Sequence, residues 1–190
     1  MSEYQYYEFC KLNAPLTAEA RKEMYSLSSR AKVSTHGASY VYNYGDFQGK
    51  PKELLFKYFD VFFYISNWGT IQLMFKYLEQ QVDESALKKI TIKHVIDCEK
   101  RNGHILLDIS FSNEDGFGWL EGEGMLADFL PLYDEIKARD YQFLRLIAAS
   151  NNRLNGETND NLEGGASFEL SQAQEVFFKY ADIGLKVLHE

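Results

Sequence analysis

Asp97 and Asp108 lie at equal distance on either side of the dipeptide Asn102-Gly103. Asn-Gly is the strongest short signal for a two-residue β-hairpin turn. Such a turn pairs residues whose numbers keep a constant sum, so Arg101 faces His104 and Asp97 faces Asp108. Two carboxylates directly opposite on a sheet repel. A bound cation, a shared proton or exposure to water would relieve them. Glu99 lies two positions along the same face and would add a third oxygen. Lys93, on that face too, would neutralise part of the charge. With a metal bound, Asp97, Asp108 and Glu99 would suit a metal-dependent hydrolase or nuclease. The plainer reading is the solvated outer face of a hairpin, and it is preferred because exposed charge pairs contribute little either way.

The same hairpin carries His94 and Cys98 on its other face, opposite Phe111 and Leu107. A core histidine fits these apolar neighbours better than a ligand does. A thiolate–imidazole nucleophile would also need a third group to orient the base, and none is close in sequence. His36 and His104 read as loop or turn residues. Glu114, Asp115, Glu121 and Glu123 sit in a Gly-rich stretch over 113–124, but their spacing does not follow the Ca²⁺-loop pattern. Asn159-Asp160-Asn161 has the same weakness. GxxxxGK[ST], GxGxxG after a strand, HExxH, GxSxG and CxxC are all absent, and no cofactor is expected. Tyrosine is concentrated in YQYYEF and YVYNY. Tyr40, Tyr42 and Tyr44, together with Trp68, are the candidate partner-binding residues, because aromatic side chains with a polar tip are enriched at protein interfaces. The competing reading packs these tyrosines into the domain's own core.

Residues 4–12 alternate as a strand with apolar groups on both faces: Tyr4, Tyr6, Cys10 and Leu12 on one, Tyr7 and Phe9 on the other. Thr17 is a natural N-cap for a helix carrying Ala20, Met24 and Leu27. A second strand covers 38–44, and Pro51 suits the first turn of a short helix. VFFYISNWGTIQLMF reads as a central hairpin that sets Tyr64 opposite Leu73 and Phe62 opposite Phe75. Residues 79–89 suggest a short helix, and Pro131 starts or kinks another. Asp140 caps a further helix. Residues 151–166 are polar, Asn- and Gly-rich, and read as a mobile loop or linker. Ser171 and Gln174 form a capping box for a last amphipathic helix over about 171–188, which would dock on its own domain or be offered to a partner.

The chain has 190 residues and a formal charge of −8, with 14 Phe and 13 Tyr, which suits one folded domain over 1–190 and not a disordered chain. The acidity disfavours nucleic acid and anionic membrane surfaces as partners. No apolar run is long enough to span a membrane. The start lacks the charged and apolar regions of a signal peptide, and the two cysteines, Cys10 and Cys98, read as small buried groups in a reducing compartment. The expected compartment is the cytoplasm.

MSEYQYYEF, PLT at 15–17, LSSRA at 27–31, YGDFQG at 44–49, KYFD at 57–60 and SNWGT at 66–70 resemble the N-terminal part of a family of uncharacterised bacterial proteins. The resemblance covers most of the chain in patches, densest in the first 75 residues. It implies a bacterial origin and a modular architecture, with the chain either a naturally short member or an isolated N-terminal domain. It implies no catalytic residue.

The expected fold is α+β, with a mixed or antiparallel sheet of about five to six strands, helices packed on it and a C-terminal helical segment. The expected function is a non-enzymatic protein-interaction or regulatory module, binding a protein partner. The alternatives are the metal-dependent hydrolase or nuclease above, and a phage- or defence-linked binding protein whose acidity would suit a basic target.

Overall fold

The computed structural model describes residues 3–112, 116, 121–154 and 169–181, with backbone alone for 152–154. Seven strands form one sheet, one or two more than expected. They are β1 (Gln5–Cys10), β2 (Lys32–Val33), β3 (Gly37–Tyr42), β4 (Val61–Ser66), β5 (Thr70–Leu78), β6 (Ile96–Arg101) and β7 (His104–Ser112). Every pairing is antiparallel, in the order β2-β3-β1-β4-β5-β7-β6. Among the described residues, six α-helices lie between and after them: α1 (Ala18–Leu27), α2 (Pro51–Tyr58), α3 (Glu84–Ile90), α4 (Met125–Lys137), α5 (Gln142–Leu154) and α6 (Gln172–Tyr180). None of the described helices is long and apolar enough to cross a membrane.

The two faces of the sheet carry separate apolar layers. On one, α3, α4, α5 and α6 pack over the β4–β7 region, around Phe63, Phe75, Phe129 and Phe177. On the other, α1 and α2 cover β3, β1 and β4, around Phe9, Tyr40, Phe59 and Phe62. β1 feeds both: Tyr6 points into the first layer, Tyr7 and Phe9 into the second. Phe47, from the turn after β3, plugs the second layer with its ring centroid 4.5 Å from that of Tyr40.

The caps follow from residue type. Thr17 accepts from the Ala20 N–H and Asp83 from the Ala86 N–H. Asp140 accepts from the Gln142 N–H at 3.0 Å. Ser171 caps α6, but Gln174 does not complete a capping box. Its amide instead donates to Glu135 of α4 at 2.7 Å and helps hold α6 down. Pro131 lies inside α4.

Three expectations change, and one open alternative is resolved. The β4–β5 hairpin pairs Tyr64 with Gln72 and Phe62 with Met74, one residue off the expected register. Its loop is the odd-numbered Asn67-Trp68-Gly69, closed by the Gly69 N–H on the Ser66 carbonyl at 3.2 Å, with Gly69 at φ 103°. β6 starts at Ile96, so His94 does not pair with Phe111. Residues 151–154 continue α5 and are not loop. The final helix is docked on its own core: the Phe177 ring sits 5.5 Å from Phe129 and 4.9 Å from Phe143. The remainder of the expected loop, with Asn159-Asp160-Asn161, lies outside the described residues, as do Glu114, Asp115 and positions 182–190.

Candidate functional site

The apolar part of the α1–α2 layer ends at Met74 and Leu106, and beyond them charged side chains of α2 meet β7 and β6. Strand alternation puts Asp108 and Asp97 there, next to Met74 in the same row. The Asn102-Gly103 turn has both residues at positive φ and sets the expected register, Asp97 opposite Asp108 and Cys98 opposite Leu107.

The cation beside the aspartates is Lys52, from the first turn of α2. Its Nζ lies 2.9 Å from Asp108 Oδ2 and 3.9 Å from Asp97 Oδ2. Gln72 donates to Asp108 Oδ1 at 2.7 Å. Burial opposes the charge on Lys52 most strongly, but the bond to Asp108 together with the negative charges of Asp108, Asp97 and Glu99 outweighs it, so its pKa is raised. Lys93, the neutraliser expected from sequence, lies exposed on the turn before β6, outside the ion pairs of the described residues. The Lys52–Asp108 contact joins residues far apart in sequence, and no local pattern announces it.

The two aspartates differ. The Asp108 side chain is 11% exposed and the Asp97 side chain 68%. Asp97 accepts from the Cys98 N–H at 2.9 Å. That N–H is on the free side of β6, the edge strand. One position earlier on the same side, Ile96 exchanges two backbone bonds with Ile92, at 2.8 and 2.9 Å. The turn that allows this has His94 at φ 68°. Asp97 and the 92–96 turn therefore occupy edge groups that would otherwise template another strand.

Thr91, Lys93, His94, Asp97, Asp108 and Ser110 line an open hollow of about 620 Å³ beside this edge. Glu99 is half-buried on the next row, opposite Leu106. Among the described residues, no three His, Cys, Asp or Glu side chains group as a metal site. The Lys52 ammonium already supplies the positive charge the pair requires. Cys10 and Cys98 are free and half-buried. Burial, with Glu8 nearby, raises the Cys10 thiol to about 11, and burial raises Cys98 as well, so neither is set up as a thiolate.

The aromatic candidates divide. Tyr40 is 0% and Tyr42 8% exposed; both are core residues, which corrects their assignment as partner contacts. The Tyr40 hydroxyl donates to the Met24 carbonyl at 3.0 Å, and the Tyr42 ring lies under the Arg30 guanidinium. Alternation along β3 turns both toward α1. Tyr44 lies past the strand end and is 72% exposed, and Trp68 in the β4–β5 loop is 43% exposed. Gln5 of β1 pairs with Tyr42 on one side and Ser66 on the other, so Tyr44 and Trp68 emerge at the same end of the sheet. β1 alone lies between their strands, a separation of about 10 Å.

Compared with family models, with curated proteins and with solved structures, this chain matched none. The resemblance to a bacterial family therefore stands on its motif residues alone.

Proposed function

We propose that this protein is a non-enzymatic binding module that engages a protein partner through the end of the sheet bearing Trp68 and Tyr44. The observation that carries this reading is their joint exposure at one end of a sheet whose other large aromatics are nearly all enclosed. Of the described side chains, only Tyr25 and Leu78 are comparably large, apolar and open, and both lie elsewhere. Trp and Tyr dominate the energetics of protein interfaces. The hydrolase reading is weaker, because Asp108 is engaged by Lys52 and Gln72, and Asp97 by the strand edge. The motif resemblance supports a bacterial origin for the module.

The test compares affinity capture from a bacterial lysate by the full chain and by the Trp68→Ala/Tyr44→Ala variant, with thermal melts confirming that both are folded. A protein held by the native chain and lost by the variant is the expected result. An identical set of retained proteins would remove this end of the sheet as the contact surface.

A further inference from the structure

We infer that residues 121–124 form a strap across β1 set by opposing charges: Lys32 latches Glu123 down, Glu8 pushes it off, and the strap opens while the sheet stays folded. Gly122 of this strap covers the Tyr6 ring, which is 2% exposed. A Cβ at Gly122 would lie 2.5–2.7 Å from three Tyr6 atoms, so only glycine fits the seat. The Gly122 N–H donates to the Tyr4 hydroxyl at 2.9 Å. Gly124, at φ 89°, then turns the chain into α4. Tyr4 is bonded twice to Asn67, through its N–H at 2.9 Å and its carbonyl at 3.0 Å. Opening therefore bares the Tyr4 and Tyr6 rings beside the turn that carries Trp68.

The register places the charges. Glu8 pairs with Ser39 and Ser39 with Lys32, so the three share one row and one face across β1, β3 and β2. The Tyr6 hydroxyl donates to Glu8 Oε2 at 3.0 Å, which ties the Glu8 carboxylate to the ring that Gly122 covers. Lys32 Nζ reaches the two Glu123 oxygens at 2.8 and 3.1 Å. Burial raises the pKa of Glu8, the Tyr6 bond lowers it and the charge of Glu123 raises it further, so the two carboxylates repel. The Lys32 and Glu123 side chains are 64% and 63% exposed, and a pair so open to water is a weak latch. Among the described residues, the strap's polar holds on the sheet are that pair and the Tyr4 bond. Few holds and little buried apolar surface of its own are what local opening requires.

The experiment is native-state hydrogen exchange of the full chain at neutral pH, read by NMR as protection factors. The Gly122 amide is followed beside that of Ile109, which is fully buried in β7 and paired with Leu73. Gly122 is protected, yet exchanges through an opening that leaves Ile109 closed. Lys32→Gln speeds exchange at Gly122 about two- to fivefold, the worth of an exposed ion pair. Glu8→Gln, which keeps the acceptor for Tyr6, slows it. In a Glu123→Gln background both effects vanish, because each acts through that carboxylate. Gly122→Ala cannot seat, so position 122 loses protection while Ile109 keeps its own. Exchange of Gly122 at the rate of Ile109 would mean that the segment opens only with the whole sheet, and would overturn the inference. It would also fall if Lys32→Gln and Glu8→Gln moved the rate in the same direction or left it unchanged.

Discussion

Asp108 is nearly enclosed and keeps two side-chain partners, Lys52 and Gln72, whereas Asp97 faces water and bonds its own strand edge. Removing Lys52 leaves a poorly hydrated carboxylate with a single neutral donor. Lys52→Met is expected to cost about 1–2 kcal/mol, toward the lower part of the range for hydrogen bonds to charged groups because Lys52 is itself partly exposed. Asp97→Asn keeps the acceptor for the Cys98 N–H and should change stability by less than about 0.5 kcal/mol. Urea unfolding of both variants measures the difference. Equal effects would mean that burial does not separate the two aspartates. Glu8 provides a pH test on the opposite face of the sheet. Burial raises its pKa above 4.5, partly offset by the Tyr6 hydroxyl bonded to it. An acid with a raised folded pKa holds its proton better when folded. Below the unfolded pKa both states are protonated, and the native chain should match Glu8→Gln in stability. As pH rises through the folded pKa the native chain should lose stability relative to that variant. Melts of the pair from pH 4 to pH 7 check the sign.

The Asn102-Gly103 hairpin, the Thr17 cap and the two-faced pattern of β1 were legible because each is set by neighbours along the chain. The β4–β5 register was not, since an odd loop of Asn67-Trp68-Gly69 shifts the pairing by one and both strands are apolar on both faces. The burial of Tyr40 and Tyr42 needed the knowledge that α1 covers that side of β3. The partner of Asp108 needed the placement of α2 against β7, which no local spacing encodes. At the β6 edge, the turn closed by Ile92 and Ile96 forces His94 to φ 68°, a region that costs a side chain with a Cβ about 1–2 kcal/mol. His94 is exposed, so its removal opens no cavity. His94→Gly should therefore stabilise the protein by about 1 kcal/mol, read as a higher urea midpoint at unchanged slope. A loss of stability would mean that the imidazole makes a contact stronger than the backbone strain it imposes.

Two apolar layers share one sheet, and β1 and β4 contribute side chains to both. Neither layer has a sheet of its own, so each depends on the other for the strands that it covers. Phe177 and Phe9 are the natural probes, one per layer, exposed 0% and 1%. Phe177 closes the first layer against Phe129, Phe143 and Phe111. Phe9 packs between Phe59 and Phe62 in the second, with centroids 5.1 and 4.8 Å away. Truncating either to alanine removes a buried ring and leaves a cavity, at a cost of about 3–5 kcal/mol. If the shared sheet couples the layers, both variants shift a single transition whose midpoint is the same by far-UV circular dichroism and by tryptophan fluorescence. Separate transitions in Phe177→Ala would mean that α6 and its layer detach while the α1–α2 side stays folded. The aromatic end at Trp68 lies on the loop joining β4, the middle strand of the sheet, to its neighbour β5. On the proposed reading, a cooperative sheet would hold the strands beside Tyr44 and Trp68 in fixed relation before a partner arrives, which would lower the ordering cost of binding.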